Sequence, residues 1–179
     1  MSNRNALPVT LSTERLVLTA PSAAHVQAIA LLANNRAVHQ MMARLPFPYT
    51  DEDARFFVEQ IAPSEADHCF SVMLEGLAFI GVVGLHFVDD LAPELGYWLG
   101  EPYWGNGYAT EAATAVVAAA QASGFPELRS RALTHNRKSR NVLRKLGFVE
   151  IGEGVEQANN LAGQRMVQMR LSSAAEQTR

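Results

Sequence analysis

The 179-residue chain is 48% apolar and carries fifteen basic against eighteen acidic side chains, a formal charge of −3. Folding at this length removes roughly 70% of the unfolded-state surface from water, so one core forms without metal or disulfide staples, and the single cysteine, Cys69, excludes an intramolecular disulfide. No charged start leads into a continuous apolar run, and the Ala/Val-rich stretch from Ala112 to Ala122 falls far short of the roughly 20 residues that cross a bilayer; secretion and membrane spanning are not expected, and a reducing cytoplasm is the default.

In chain order, Arg15 to Ala20 alternates in part and predicts a first strand. Pro21-Ser22 opens a helix with Ser22 as N-cap and Val26, Ile29, Ala30 and Ala33 on one face. Thr50-Asp51-Glu52-Asp53 resembles a capping box, followed at helical spacing by Ala54, Phe57, Val58 and Ile61. Between them, Leu45-Pro46-Phe47-Pro48-Tyr49 continues neither helix, because each proline removes a donor and fixes φ. Cys69–Leu74, Ala78–Val88 and Glu94–Leu99, joined by turns at Glu75-Gly76 and Asp89-Asp90, read as an antiparallel meander. A long helix runs from Tyr108 to about Ser123 and ends at Gly124. Leu128–Thr134 is a strand, Arg137–Leu146 a helix closed by Gly147, and Phe148–Ile151 and Met166–Leu171 the last strands. The order predicts an α/β mixture in a single domain, residues 1–179 with its core at about 12–171, in which two strands flank one long crossover helix.

The mild total charge hides an asymmetry. Residues 51 to 101 hold eleven acids against the single base Arg55, whereas residues 129 to 145 hold Arg129, Arg131, Arg137, Lys138, Arg140, Arg144 and Lys145 and no acid. A charge run is usually a solvated face. Here it abuts a glycine-rich segment, which suits an anion, while the acidic stretch suits a cationic substrate. Nucleic acid is not expected as a partner, because the basic run is short, lacks interleaved aromatics and belongs to a net-negative chain.

Trp104-Gly105-Asn106-Gly107-Tyr108-Ala109-Thr110 lies between the strand ending at Leu99 and the long helix. Residues without bulky side chains let backbone N–H groups approach a ligand, and a helix start adds unpaired donors and partial positive charge, which suits a diphosphate. The competing reading is a glycine-rich connection that binds nothing. No Gly-Lys-Ser/Thr follows, which excludes a P-loop. A dinucleotide fingerprint would need Gly or Ala at Thr110 and a parallel βαβ unit in place of the meander.

Gly105-Asn106-Gly107-Tyr108-Ala109 resembles the acyl-CoA diphosphate loop of the GNAT superfamily of N-acyltransferases, with Gly107 and Ala109 at its last two fixed positions and Trp104 replacing its polar first residue. Tyr103-Trp-Gly-Asn-Gly-Tyr-Ala-Thr-Glu-Ala112 and Asn136-Arg-Lys-Ser139-Arg-Asn141-Val-Leu-Arg-Lys-Leu-Gly147-Phe148 are similar to its RimJ/RimL-like branch, whose members acetylate ribosomal-protein N-termini. Thr13-Glu-Arg-Leu-Val-Leu and Pro48-Tyr49-Thr-Asp-Glu-Asp-Ala54 extend the resemblance over about residues 12 to 171. It implies the GNAT fold, a central mixed, mostly antiparallel sheet of about seven strands flanked by about four helices. It also implies an enzyme, an N-acetyltransferase that moves an acetyl group from acetyl-CoA to a primary amine by direct attack in a ternary complex, without a metal.

Acyl transfer from a thioester to an amine needs an anchored anionic donor, a deprotonated amine, a stabilised carbonyl oxygen and a proton for the departing thiolate. The resemblance gives the anchor to the backbone of Gly105, Asn106, Gly107, Tyr108, Ala109 and Thr110. It implies that backbone around Trp98 and Leu99 pairs with the pantetheine arm, as an amide-bearing ligand extends a sheet edge. Asn136 either bonds the same arm or caps the helix that begins near Arg137. Some of the basic helix, with Asn141 and Arg144, turns toward the cofactor. Glu94 is the candidate base and Glu101 a weaker one; the alternative is that Glu94 is a surface residue. Many relatives have a tyrosine acid where this chain has Leu143, and the branch points to Ser139 instead, as a relay or hydrogen-bond donor or simply as a first-turn polar residue. A thiolate with a pKa of about 8.5 is a tolerable leaving group without a strong acid.

Other constellations are weaker. His135 and Ser139 are four apart but sit in no Gly-x-Ser-x-Gly elbow. His68 and Cys69 point to opposite faces of a strand. No cluster has metal-ligand spacing, and His25, His39 and His86 are scattered. Met41-Met42, near Phe47 and Tyr49, read as packing ahead of an acceptor pocket. A non-catalytic CoA-binding regulatory module is the alternative function. The acceptor, a protein N-terminus or a small-molecule amine, is set by loops 36–50 and 152–165, and the assembly, monomer or homodimer, stays open.

Overall fold

A computed structural model describes residues 3–75, 77–157 and 159–172. Eight strands form one sheet in the order β1-β2-β3-β4-β5-β6-β8-β7. The first five, β1 (Thr10–Ser12), β2 (Leu16–Thr19), β3 (Asp67–Leu74), β4 (Ala78–His86) and β5 (Glu94–Leu99), pair antiparallel in sequence. After β5 the chain crosses over through α4 (Tyr108–Ala122) to β6 (Glu127–Leu133), parallel to β5. α5 (Arg137–Lys145) then leads to β7 (Val149–Val155) and β8 (Arg165–Ser172), and β8 inserts antiparallel between β6 and β7. The crossover helix and the meander are as the sequence predicts.

Each face of the sheet carries its own apolar layer. α4 presents Ala112, Ala113, Val116, Val117 and Ala120, small enough to bring the helix axis close, against Phe70, Val83, Leu95 and Leu99. The opposite face is covered by α1 (Val26–Ala33), which buries Val26, Ile29, Ala30 and Ala33 as its spacing predicts, and by α3 (Asp51–Phe56) through Ala54.

Among the described residues the sheet has eight strands and there are five α-helices, one more of each than expected. β1 was not expected because three residues in a polar segment give no readable alternation. α2 (Arg36–His39) is a single turn held by Asn35 Oδ1, which accepts from the Ala37 and Val38 amides at 2.8 and 3.2 Å. Ser22 caps a 3₁₀ turn, Ala23–His25, that leads into α1. The capping box at α3 forms, with the Thr50 amide donating to Asp53 Oδ2 at 2.8 Å. The helix then slips into a π turn over Phe57–Ile61, and the added residue rotates the apolar stripe so that Ile61 is exposed. Gly76 of the expected Glu75-Gly76 turn lies outside the described residues, as do residues 1–2 and 173–179 of the polar ends.

Candidate active site

The site is a split in the sheet. β5 pairs with β4 along its whole length, from His86↔Glu94 to Gly81↔Leu99, but with β6 only at Glu94↔Arg129. Ser130, buried, closes the apex by donating its hydroxyl to the Leu95 carbonyl at 2.8 Å. Beyond Leu95 the strands part, and Gly96 is exposed. The Pro93 and Leu95 carbonyls face β6, whereas the Gly100 amide donates to the Ile80 carbonyl on the β4 side at 2.9 Å. Strand alternation therefore turns the backbone of Tyr97 and Leu99 toward the gap and that of Trp98 toward Val82 of β4. Of the two positions expected to meet an amide-bearing arm, Leu99 faces the gap, and its neighbour there is Tyr97. Trp98 belongs to the β4 ladder, with its indole edge-on to Phe79 at 6.0 Å in the α1/α3 layer.

The mouth of the gap is the glycine turn. Gly105 and Gly107 have φ of +79° and +80°, a region that penalises side chains, and both are exposed with Asn106 between them. Gly107 is the N-cap of α4 and supplies no side-chain cap, so the first-turn amides of Tyr108, Ala109 and Thr110 open outward. The Asn106 side chain folds back to donate to the Trp104 carbonyl at 3.1 Å, and so shapes the turn.

Two cations flank it. Arg15, from the β1–β2 connection, donates to the Asn106 carbonyl at 3.1 Å and lies over the Tyr108 ring at 4.5 Å. Lys138, from the first turn of α5, sits over the Trp104 ring at 5.2 Å, and the Trp104 indole N–H donates to the Leu99 carbonyl at 2.7 Å. Glu111 is locked beneath by Arg15, with Nη2 to Oε2 at 2.6 Å, and by the Thr13 hydroxyl at 2.6 Å. Burial opposes ionisation of Glu111, but the Thr13 and Arg15 hydrogen bonds and the Arg15 charge outweigh it and hold the carboxyl below its ordinary range.

On the other side of the gap, Asn136 Oδ1 caps α5 by accepting from the Ser139 amide at 3.1 Å. Tyr97 reaches across from β5: its hydroxyl is 2.9 Å from Ser139 Oγ, where either oxygen can donate, and 3.2 Å from the Ser139 carbonyl, which can only accept. Burial pushes the phenol up to about 12, with the Ser139 bond pulling slightly the other way. Leu143, where the resemblance led one to look for a tyrosine acid, is fully buried in the α4 layer and has no acidic proton to give. Arg144 donates to Glu150 at 2.6 Å and to Asn141 Oδ1 at 3.2 Å, and Arg140 joins the same carboxylate at 2.8 Å. This flank of the basic run thus points to β7, while Lys138 points to the turn.

Glu94 lies at the apex on the face opposite Ser139. Arg131 holds its carboxylate at 3.0 Å and that of Glu156 at 2.7 Å. Glu101 accepts instead from Asn35 Nδ2 at 2.7 Å. The two loops expected to set the acceptor meet on this face: Asn160 donates its amide to the Ala43 carbonyl at 3.0 Å and its side chain to the Leu45 carbonyl. Met41 packs on the buried cluster of Leu133, Leu161 and Met166, as the packing reading expects of that residue. His135 precedes α5 and is exposed, so it forms no helical dyad with Ser139. Among the described residues no group of three or more His, Cys, Asp or Glu could hold a metal, and no helix is long and apolar enough to cross a membrane.

Sequence reading missed Tyr97, Arg15 and the Trp104 indole. Each acts through a partner distant in the chain or through a backbone carbonyl, and only the Tyr97 alternation toward the α4 face carried a local signal.

A split parallel pair beside an open helix start makes a cleft for an extended ligand with an anionic end, the shape of an acyl-CoA. Residues 15–149 match the acetyltransferase (GNAT) domain family. The chain belongs to the GNAT family of acetyltransferases, enzymes that use acetyl-CoA as the acyl donor. Solved structures share its fold. The microcin C7 self-immunity acetyltransferase MccE, solved with acetyl-CoA and AMP, superposes with a TM-score of 0.80 at 21% identity over 93% of this chain and 98% of that one. RimL, a ribosomal α-N-protein acetyltransferase solved with coenzyme A, gives 0.79 at 20% over 95% and 99%. The ribosomal-protein-S5-alanine acetyltransferase from Vibrio fischeri gives 0.79 at 20% over 93% and 98%. No curated protein matches the chain in sequence.

Proposed function

We propose that the protein transfers the acetyl group of acetyl-CoA to a primary amine, on a protein N-terminus or a small molecule, by direct attack in a ternary complex. The observation that carries this is the gap between β5 and β6, lined by the backbone of Tyr97 and Leu99 and ending at the exposed turn Gly105–Gly107 and the first-turn amides of Tyr108 to Thr110. The diphosphate rests on those amides, with Arg15 and Lys138 on either side, and the pantetheine arm lies along β5 as an added strand. A backbone N–H of the gap stabilises the thioester oxygen as it becomes an oxyanion.

The amine approaches from the α1/α3 face, beneath the joined connections Met41–Leu45 and Asn159–Gln164. Glu94 takes its proton, directly or through water, and Arg131 fixes the direction of that carboxylate. Ser139, on the opposite face, donates a hydrogen bond to the departing thiolate. Asn136 orients Ser139 by capping α5. Asn141 and Arg144, expected on the cofactor, instead bond each other and Glu150 of β7, so Lys138 is the cation that the helix offers the diphosphate. The MccE and RimL complexes support acetyl-CoA as the donor, and RimL and the S5-alanine enzyme support a protein N-terminus as the first acceptor to test.

Calorimetric titration with acetyl-CoA, followed by thiol-release assays across peptides, amino acids, polyamines and aminoglycosides, tests the reading. Saturable binding and amine-dependent release are expected. No binding at millimolar acetyl-CoA overturns it; binding without release from any amine favours a CoA-sensing module.

A further inference from the structure

We infer that Tyr97 is a positioning residue for acetyl transfer: its phenol O–H donates to Ser139 Oγ and thereby aims the serine proton into the gap, at the sulfur of the departing thiolate. The inference rests on the acetyl-transfer reading above. It starts from an ambiguity in serine chemistry, since a serine in the first turn of a helix readily turns its O–H back onto local backbone carbonyls, where it serves no ligand. In this chain the Ser139 amide is already taken by Asn136 Oδ1, and the one phenol proton has two acceptors in reach, Ser139 Oγ at 2.9 Å and the Ser139 carbonyl at 3.2 Å, of which the nearer takes it. Among the described residues, Tyr97 is the hydrogen-bond partner of that hydroxyl.

The placement is specific. Tyr97 stands on the part of β5 that has left β6, and its ring spans the gap from strand to helix. A hydroxyl carries one proton and accepts others. When Ser139 Oγ accepts from the phenol, its own O–H must point away from Tyr97 and is left to meet a ligand in the slot. Burial keeps the phenol protonated throughout the working range, so the donor does not switch off. The bonding steps are simple. The amine nitrogen forms the C–N bond, the C–S bond breaks with its electron pair on sulfur, and the amine proton leaves through Glu94 and water. Ser139 stabilises the thiolate by a hydrogen bond until solvent protonates it, and Tyr97 keeps its proton at every stage.

A double-mutant cycle on the full chain tests this, using Tyr97→Phe, Ser139→Ala and the pair, with kcat, the KM for acetyl-CoA and the melting temperature measured for each. Phenylalanine keeps the ring and removes only the hydroxyl. Tyr97→Phe is expected to lower kcat about tenfold, with the KM for acetyl-CoA within about twofold of the natural chain, the pattern of an interaction realised in the transition state. In the Ser139→Ala background the same change is expected to have no further effect on kcat. An equal fall in both backgrounds, or no fall in either, overturns the positioning role. A raised KM with kcat intact overturns it too, since that would make Tyr97 a wall of the slot. Failure of the natural chain to bind acetyl-CoA or release thiol with any amine overturns the parent reading and this one with it; turnover left intact by Tyr97→Phe overturns this one alone.

Discussion

Arg15 and Glu111, 96 residues apart, are joined by both the backbone and the side chain of the arginine: the Arg15 amide donates to Oε1 at 2.9 Å and its Nε to Oε2 at 2.7 Å. The contact ties the β1–β2 connection to the first turn of α4. It also neutralises a carboxylate that would otherwise repel a diphosphate at that helix start.

Glu111→Gln keeps the shape and removes the charge. The folded carboxyl is held below its ordinary range, so its stabilisation is complete above the unfolded-state value of about 4.3 and is lost as pH falls through the folded value. The variant is expected to melt about 2–4 °C lower near neutrality, with the difference vanishing in strong acid. Melting curves from pH 3 to 8 measure it; a difference that grows toward acid contradicts the assignment.

Gly81 of β4 pairs with Leu99 of β5. A Cβ there would stand 2.2 Å from the Trp98 carbonyl oxygen and 2.8 Å from the Leu99 Cα, both backbone atoms that cannot rotate aside. Gly81→Ala is expected to lose about 3 kcal/mol or more of stability in denaturant titration, or to yield no soluble protein. Because it displaces the β5 edge, any folded fraction is expected to bind acetyl-CoA poorly.

Gly107 and Gly163 share a left-handed backbone, with φ of +80° and +82°. Alanine at either is expected to cost about 1–2 kcal/mol of stability. Only Gly107→Ala is expected to weaken acetyl-CoA binding, since Gly163 lies in the loop between β7 and β8, away from the turn. Equal affinities for the two variants would remove the turn from the donor site.

Leu143 is fully buried, so a tyrosine introduced there meets packed side chains on every side. Leu143→Tyr is expected to destabilise by about 1–3 kcal/mol and to leave kcat no higher, whereas a new acid at the thiolate would raise it.

The local parts of this molecule were legible in its sequence. The glycine turn, the Thr50 box and the stripe of Val26, Ile29, Ala30 and Ala33 each depend on residues within one or two helical turns, and each stands where spacing placed it. The parts that hold the site together depend on distant pairs. Alternation along Glu94–Leu99 shows which side chains share a face, but not that Tyr97 meets Ser139 across the gap, 42 residues on. It also shows that Trp98 and Leu99 turn their backbones to opposite sides, a distinction the sequence reading blurred. Arg15 was visible only as part of a strand, because its partner Glu111 lies on another element.

The lone register pair between Glu94 and Arg129, with the Ser130 bond beside it, makes the protein two leaves riveted at one end. An extended ligand that completes the ladder fastens the other end, so occupancy stiffens the enzyme as well as priming it. Amide exchange should slow along both β5 and β6 when the cleft fills, including at positions the ligand never touches.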